Sequence, residues 1–291
     1  MKTAVNNFLD IEKIPLEKAQ IIVAPFSFEA TTTYGRGTKN GPKAIISASS
    51  QVELFDEELW QETDKKIKIA TLEELKLPKD ILKTKGLVEK LIGDILKQKK
   101  FPISLGGEHS LTPFIIGAYQ KSGFKNFSIL QFDAHADLRD GYENQKYSHA
   151  AAMRRCLDFS DINLVQMGIR NISNTDNELD FWENNQKRIK TFWIKDKKTW
   201  EIGKIIKNLK DQVYLTFDVD AFDSSLMPST GTPEPGGLFW QETLDILRQV
   251  CKEKKIIGAD FMELSPLKNF IAPDFLVAKL IYKFIGYLKN I

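Results

Sequence analysis

Apolar residues gather in eight short runs: IIVAPF (21–26), KIKIAT (66–71), FPISLGG (101–107), FSILQFD (127–133), INLVQMGIR (162–170), KTFWI (190–194), VYLTFDVD (213–220) and KIIGADFMEL (255–264). Several are apolar on consecutive rather than alternate positions, as expected of strands covered on both faces. The stretches between them carry a helical period. KGLVEKLIGDILKQKK places apolar residues at 87, 88, 91, 92, 95 and 96, along one helical face. Similar stripes run through GPKAIISASSQVELFDEEL, LTPFIIGAYQKSG, NTDNELDFWENNQ, TWEIGKIIKNLK, WQETLDILRQVCKEK and the closing FLVAKLIYKFIGYL. Strand and helix alternate with no linker, repeat or low-complexity segment. The pattern predicts one α/β domain over 1–291, a doubly wound and mainly parallel sheet with helices on both faces.

Composition narrows the partners. Of the 291 residues, 42% are hydrophobic and 27% charged, and 41 Lys+Arg against 39 Asp+Glu leave no basic field, so nucleic acid is not an expected partner. Cys156 and Cys251 form no C-x-x-C pair and read as reduced thiols of a cytoplasmic protein. The N-terminal segment shows no uninterrupted apolar region of a secretory signal. Lysines break the apolar tail, which is too short to span a bilayer and reads as an amphipathic closing helix; no membrane association is expected.

In a doubly wound sheet the ligand site lies beyond the carboxyl ends of the strands. The fourth run ends in Asp133-Ala-His135-Ala-Asp137, where an extended backbone would send all three polar side chains to one side. The seventh ends in Asp218-Val-Asp220 with the same spacing, and the third in GGEHS, which offers His109 after two glycines that permit a sharp turn. Four carboxylates converging without cations would repel one another and take up protons. Two divalent metals bridged by shared carboxylates would balance them. With no thiolate and one imidazole per ion, the oxygen-rich set suits octahedral Mn²⁺ better than tetrahedral zinc, though cobalt, iron or nickel remain alternatives.

GGEHS, FDAHADLRD, YSHAAAMRR, TFDVDAFDSS, GTPEPGGL and FMELSP, in that order, resemble the ureohydrolase family of arginases and agmatinases, from about residue 31 to residue 266. The resemblance implies a three-layer α/β/α fold around a mainly parallel eight-stranded sheet. It also implies hydrolysis of a small guanidinium substrate to urea and an amine, by a hydroxide bridging two Mn²⁺ per chain. His109, Asp133, Asp137 and Asp218 look like ligands of one ion, and Asp133, His135, Asp218 and Asp220 like ligands of the other. His149, in KYSHAAAMRR, matches the general acid/base that protonates the departing amine, and Glu263 the carboxylate that holds the guanidinium. Glu108 reads as a residue that orients an imidazole by hydrogen bond, Arg154 and Arg155 as structural ion pairs, and GTPEPGG (231–237) as a loop that shapes the site. Family members assemble as trimers or hexamers, so a homo-oligomer is expected.

Two departures bear on the substrate. Arginases carry an Asn two residues after the D-x-H-x-D segment, where this chain has Arg139, and an Asp-x-Asp pair after G-[LI]-R, where it has Asn171-Ile172-Ser173. DLRDGY, YSHA-x-x-MRR and TYGRGT look instead like the prokaryotic agmatinase branch, which implies agmatine cleaved to urea and putrescine. The alternatives are arginine, guanidinobutyrate, aminopropylagmatine or guanidine as substrate, a one-zinc deacetylase of related fold, or a catalytically silent relative.

Overall fold

The computed structural model describes residues 1–289, so the last two residues of the expected 1–291 domain lie outside the described residues. Eight parallel strands form the main path of the sheet: β1 (Ile21–Ser27), β2 (Ile69–Thr71), β3 (Phe101–Leu105), β4 (Ser128–Phe132), β5 (Asn163–Met167), β6 (Ile189–Phe192), β7 (Gln212–Asp218) and β8 (Lys255–Met262). Their spatial order is β2-β1-β3-β8-β7-β4-β5-β6, and a two-residue strand, Leu75–Lys76, extends the pairing of β1. Each of the eight runs read from the sequence overlaps one of these strands, with β1, β6 and β7 each reaching one residue beyond its run.

Alternate strand residues enter two separate cores. Val23, Ile103, Leu130, Leu215 and Phe261 pack with the helices Gly41–Ser49, Trp240–Glu253 and Ala272–Tyr287. Ile22, Ala24, Ile129, Leu164 and Tyr214 pack on the opposite face with Ile81–Lys97, Thr112–Lys121 and Ala152–Cys156. The fold is therefore the expected α/β/α sandwich. Both faces of each central strand are dry, which explains the continuous apolar runs.

Two expectations are corrected. The helical stripe from Gly41 to Leu59 stops at Ser49, and Phe55–Asp56 pairs with Gln61–Glu62 as a short antiparallel hairpin. Asp56 drives the turn by accepting the backbone N–H groups of Glu58 and Leu59 at 2.9 Å each. The closing helix is also less amphipathic than its lysines suggest. Lys283 is only 1% exposed and reaches Asp56 at 2.8 Å and Glu57 at 3.0 Å, pinning the hairpin to the helix.

Asp56 is itself fully buried, but its neighbour Glu57 is largely exposed, so solvent lies close to this ion pair. Lys283→Ala is expected to lower the unfolding free energy by about 1–3 kcal/mol, because it strands a buried carboxylate. Urea denaturation measures this, and an unchanged midpoint and slope would contradict it.

Candidate metal centre

The carboxyl ends of β3, β4, β7 and β8 meet around a cavity of about 550 Å³. His109, His135, Asp137, His149, Asp218, Asp220 and Glu263 line it, and Asp133 lies beneath, fully buried. All eight residues singled out from the sequence thus belong to one site, by a different backbone path from the one expected. β4 ends at Phe132, and Asp137 has a left-handed backbone with φ 55°. Asp220 lies in a tight 3₁₀ turn, Val219–Ala221, directly after β7. The side chains converge because loops aim them, not because a strand continues.

The two glycines before His109 also act otherwise than expected. Neither has a positive φ. A Cβ on Gly107 would stand 1.8 Å from the carbonyl oxygen of Phe28, and one on Gly106 would stand 1.8 Å from the Met262 sulfur. They permit close approach of β1 and β8 to the third strand's end, which seats His109 at the centre.

His109 Nδ1 faces Oδ2 of Asp133 at 3.2 Å, of Asp137 at 3.2 Å and of Asp218 at 3.3 Å. This buried nitrogen makes no hydrogen bond of its own. Its surroundings resemble ligand atoms about a shared centre rather than a donor and its acceptor. His135 Nδ1 stands 3.0 Å from Asp220 Oδ2 and 3.7 Å from Asp133 Oδ1. Two metal-capable groups result, His109–Asp133–Asp137 and Asp133–His135–Asp220, with Asp133 common to both. Asp218 joins the His109 side through Oδ2, while its Oδ1 accepts the Asp220 N–H at 3.0 Å.

Electrostatics shows what the set lacks by itself. Burial opposes charge on both imidazoles, yet the facing carboxylates outweigh it and hold His109 and His135 well above the ordinary histidine range. Burial and then the charge of Asp133 push Asp137 up to about 7; burial, Asp220 and Asp133 raise Asp218 well above the carboxylate range. Metal-free, the cluster must hold protons to survive burial. Divalent cations would displace them, and the donor set of two imidazole nitrogens and four carboxylates fits two such ions.

The substrate-side residues stand around this cluster. Glu263 follows β8 directly, with φ 66°, and accepts the His109 backbone N–H at 2.6 Å. Burial and the neighbouring Glu108 raise its carboxyl well above the usual range. Glu108 does not orient an imidazole directly, contrary to expectation. It accepts the N–H groups of Ala30 and Thr31 at 2.6 and 2.7 Å and the Thr31 hydroxyl at 2.8 Å. Thr31 Oγ1 in turn lies 3.1 Å from His149 Nδ1. Since that hydroxyl donates to Glu108, His149 Nδ1 carries the proton toward Thr31 and Nε2 stays available. Burial lowers the pKa of His149.

Arg154 and Arg155 pair with Asp140, as read from the sequence, and Arg154 also lies 3.4 Å over the Phe181 ring. Three participants escaped that reading. Gln131 donates to Asp133 Oδ2 at 2.7 Å, Thr31 bridges Glu108 to His149, and Glu234 accepts from Asn171 at 2.5 Å within 3.9 Å of His135 Nε2. The one available signal was Gln131, a polar residue between Leu130 and Phe132 in a buried strand.

Residues 18–286 match the family model described as "Arginase family". The chain belongs to the arginase family. An N(1)-aminopropylagmatine ureohydrolase of Synechocystis sp. is 36% identical, covering 96% of this chain and 93% of that protein. An agmatinase of Pyrococcus horikoshii is 31% identical, covering 96% and 95%. The crystal structure of an agmatine ureohydrolase of Thermoplasma volcanium superposes with a TM-score of 0.85 at 27% identity, covering 98% of this chain and 94% of that one. As an arginase-family ureohydrolase, the protein is a hydrolase acting on guanidino groups.

Metal uptake by this ureohydrolase is expected to release protons and to weaken as pH falls through about 7, where Asp137 binds a proton that the ion must displace. Titration calorimetry with Mn²⁺ in buffers of differing ionisation enthalpy measures both effects. Affinity and proton release that are constant from pH 5 to pH 8 would contradict the charge account.

Proposed function

We propose that the whole chain acts as a two-manganese ureohydrolase on N(1)-aminopropylagmatine, releasing urea and leaving spermidine. The observation that carries the choice of tail is the charge of the cavity wall. Besides the histidines, its basic side chain is Arg139, already engaged by Asp176 at 3.0 Å and near Glu178 at 3.8 Å. Among the described residues that line the cavity no free cation waits for an α-carboxylate, whereas Glu178, whose carboxylate accepts the Leu138 and Ser173 N–H groups, adds an acidic group to the same wall. An amine-bearing tail suits this wall and arginine does not. The relatives named for aminopropylagmatine, at 36% and 33% identity, favour the longer amine. Agmatine is the second reading, favoured by the Pyrococcus relative and by the motifs in the sequence.

In this reading His109, Asp133, Asp137 and Asp218 hold one ion, and Asp133, His135, Asp218 and Asp220 the other. Two bound Mn²⁺ would supply a hydroxide nucleophile near neutral pH. Glu263, a carboxyl that burial makes costly to ionise alone, gains most from an arriving guanidinium and orients its plane. His149, held by Thr31 through Nδ1, presents an unprotonated Nε2 that can take a proton from the added water and pass it to the departing amine.

Urea release by the Mn²⁺-loaded protein tests this across aminopropylagmatine, agmatine, guanidinobutyrate, guanidine and arginine. The highest kcat/KM is expected for aminopropylagmatine, with arginine at least roughly 100-fold lower because its carboxylate would be left unpaired. Preference for agmatine would favour the second reading, and preference for arginine would contradict the account of the wall. No urea from any of the five would leave a silent relative. His149→Ala is expected to cut turnover while both ions stay bound; loss of an ion there would remove the proton-donor role.

A further inference from the structure

Behind His109 lies a carboxylate that the reaction above does not use. Asp260 on β8 is fully buried, and among the described residues it forms no ion pair with Lys or Arg. It is held by three hydroxyls: Tyr214 donates to Oδ2 at 2.8 Å, Thr112 to Oδ2 at 3.0 Å and Thr216 to Oδ1 at 2.6 Å. A buried, cation-free carboxylate is costly, and packing alone does not account for it. Thr216 supplies the connection, because its Oγ1 also stands 2.8 Å from His109 Nε2.

Proton counting fixes the direction of this chain. Thr216 has one hydroxyl proton. Given to Asp260, it leaves the Thr216 oxygen as an acceptor, so His109 must carry its proton on Nε2. In the neutral imidazole that a metal ion requires, Nδ1, the nitrogen facing Asp133, Asp137 and Asp218, is then the one left with a lone pair. We propose that Asp260 is a positioning residue that acts through Thr216 to select the metal-binding tautomer of His109, and that the ion on the His109 side depends on this relay. The proposal rests on the two-metal reading above.

Asp260→Asn is nearly isosteric but reverses the relay. Its amide oxygen can take the Tyr214 and Thr112 hydroxyls, leaving the NH₂ to donate to Thr216. Thr216 must then donate to His109 Nε2, and the proton moves to Nδ1. An Asp→Asn change behind a functional histidine is known to act in this way, through the wrong tautomer. Thr216→Val removes the hydroxyl without removing bulk, and Thr216→Ser keeps it.

Equilibrium dialysis with Mn²⁺ on the full chain, beside thermal unfolding, tests the relay without any substrate. Wild-type protein is expected to bind about two ions. Asp260→Asn and Thr216→Val should each weaken one of the two by roughly 10- to 100-fold and leave the other unchanged. Thr216→Ser should restore both. Folded variants that keep two ions at wild-type affinity would overturn the proposal, as would Thr216→Ser failing like Thr216→Val. If Asp260→Asn does not fold, the Thr216 pair decides alone. Wild-type protein that binds fewer than two ions would instead overturn the two-metal reading, and the relay with it.

Discussion

Asp133 is the constraint on which the rest depends. It is fully buried and common to two metal-capable groups, with one oxygen on the side of His109 and the other on the side of His135. A carboxylate in that position is tolerable only if positive charge approaches it from both sides. Burial alone would raise its pKa; the two imidazoles hold it far below the carboxylate range. The positive charge they carry in the metal-free protein stands where a ligand set for cations requires cations instead. Protons on Asp137 and Asp218 and charge on His109 and His135 are two sides of one shortage.

The architecture makes that concentration of charge affordable only at one place. β3, β4, β7 and β8 are neighbouring parallel strands, so their carboxyl ends open on the same edge of the sheet. Two dry cores hold the strands in register, and the ends inherit that rigidity. Backbone features then turn the side chains inward: left-handed conformations at Asp137 and Glu263, and close packing at Gly106 and Gly107. Non-glycine residues with positive φ persist only where surrounding contacts enforce them. Here the enforcing contacts include the Arg154 N–H on the Asp137 carbonyl at 3.0 Å and the Glu263 N–H on the Gly107 carbonyl at 2.8 Å.

The central strands were legible because they are buried on both faces, and the ligands because polar residues at the ends of apolar runs are conspicuous. What the sequence hid was geometry decided by distant partners. The stripe from Gly41 to Leu59 has a helical period, but Asp56 finds Lys283 across the fold and a hairpin wins. The alternating Asp133, His135 and Asp137 suggested a continuing strand, yet the backbone leaves β4 at Phe132. Glu108 sits beside His109 in the chain, but its carboxylate turns to Thr31 and so reaches the other histidine, His149. Thr31 and Glu234 come from loops whose local sequence carries no sign of the contact they make.

Anomalous diffraction at the manganese edge, from crystals of the Mn²⁺-loaded protein, measures the central claim most directly. Two peaks on the order of 3.5–4 Å apart are expected, with Asp133 between them, one beside His109 and the other beside His135. A single peak, or two peaks that do not share Asp133, would contradict it.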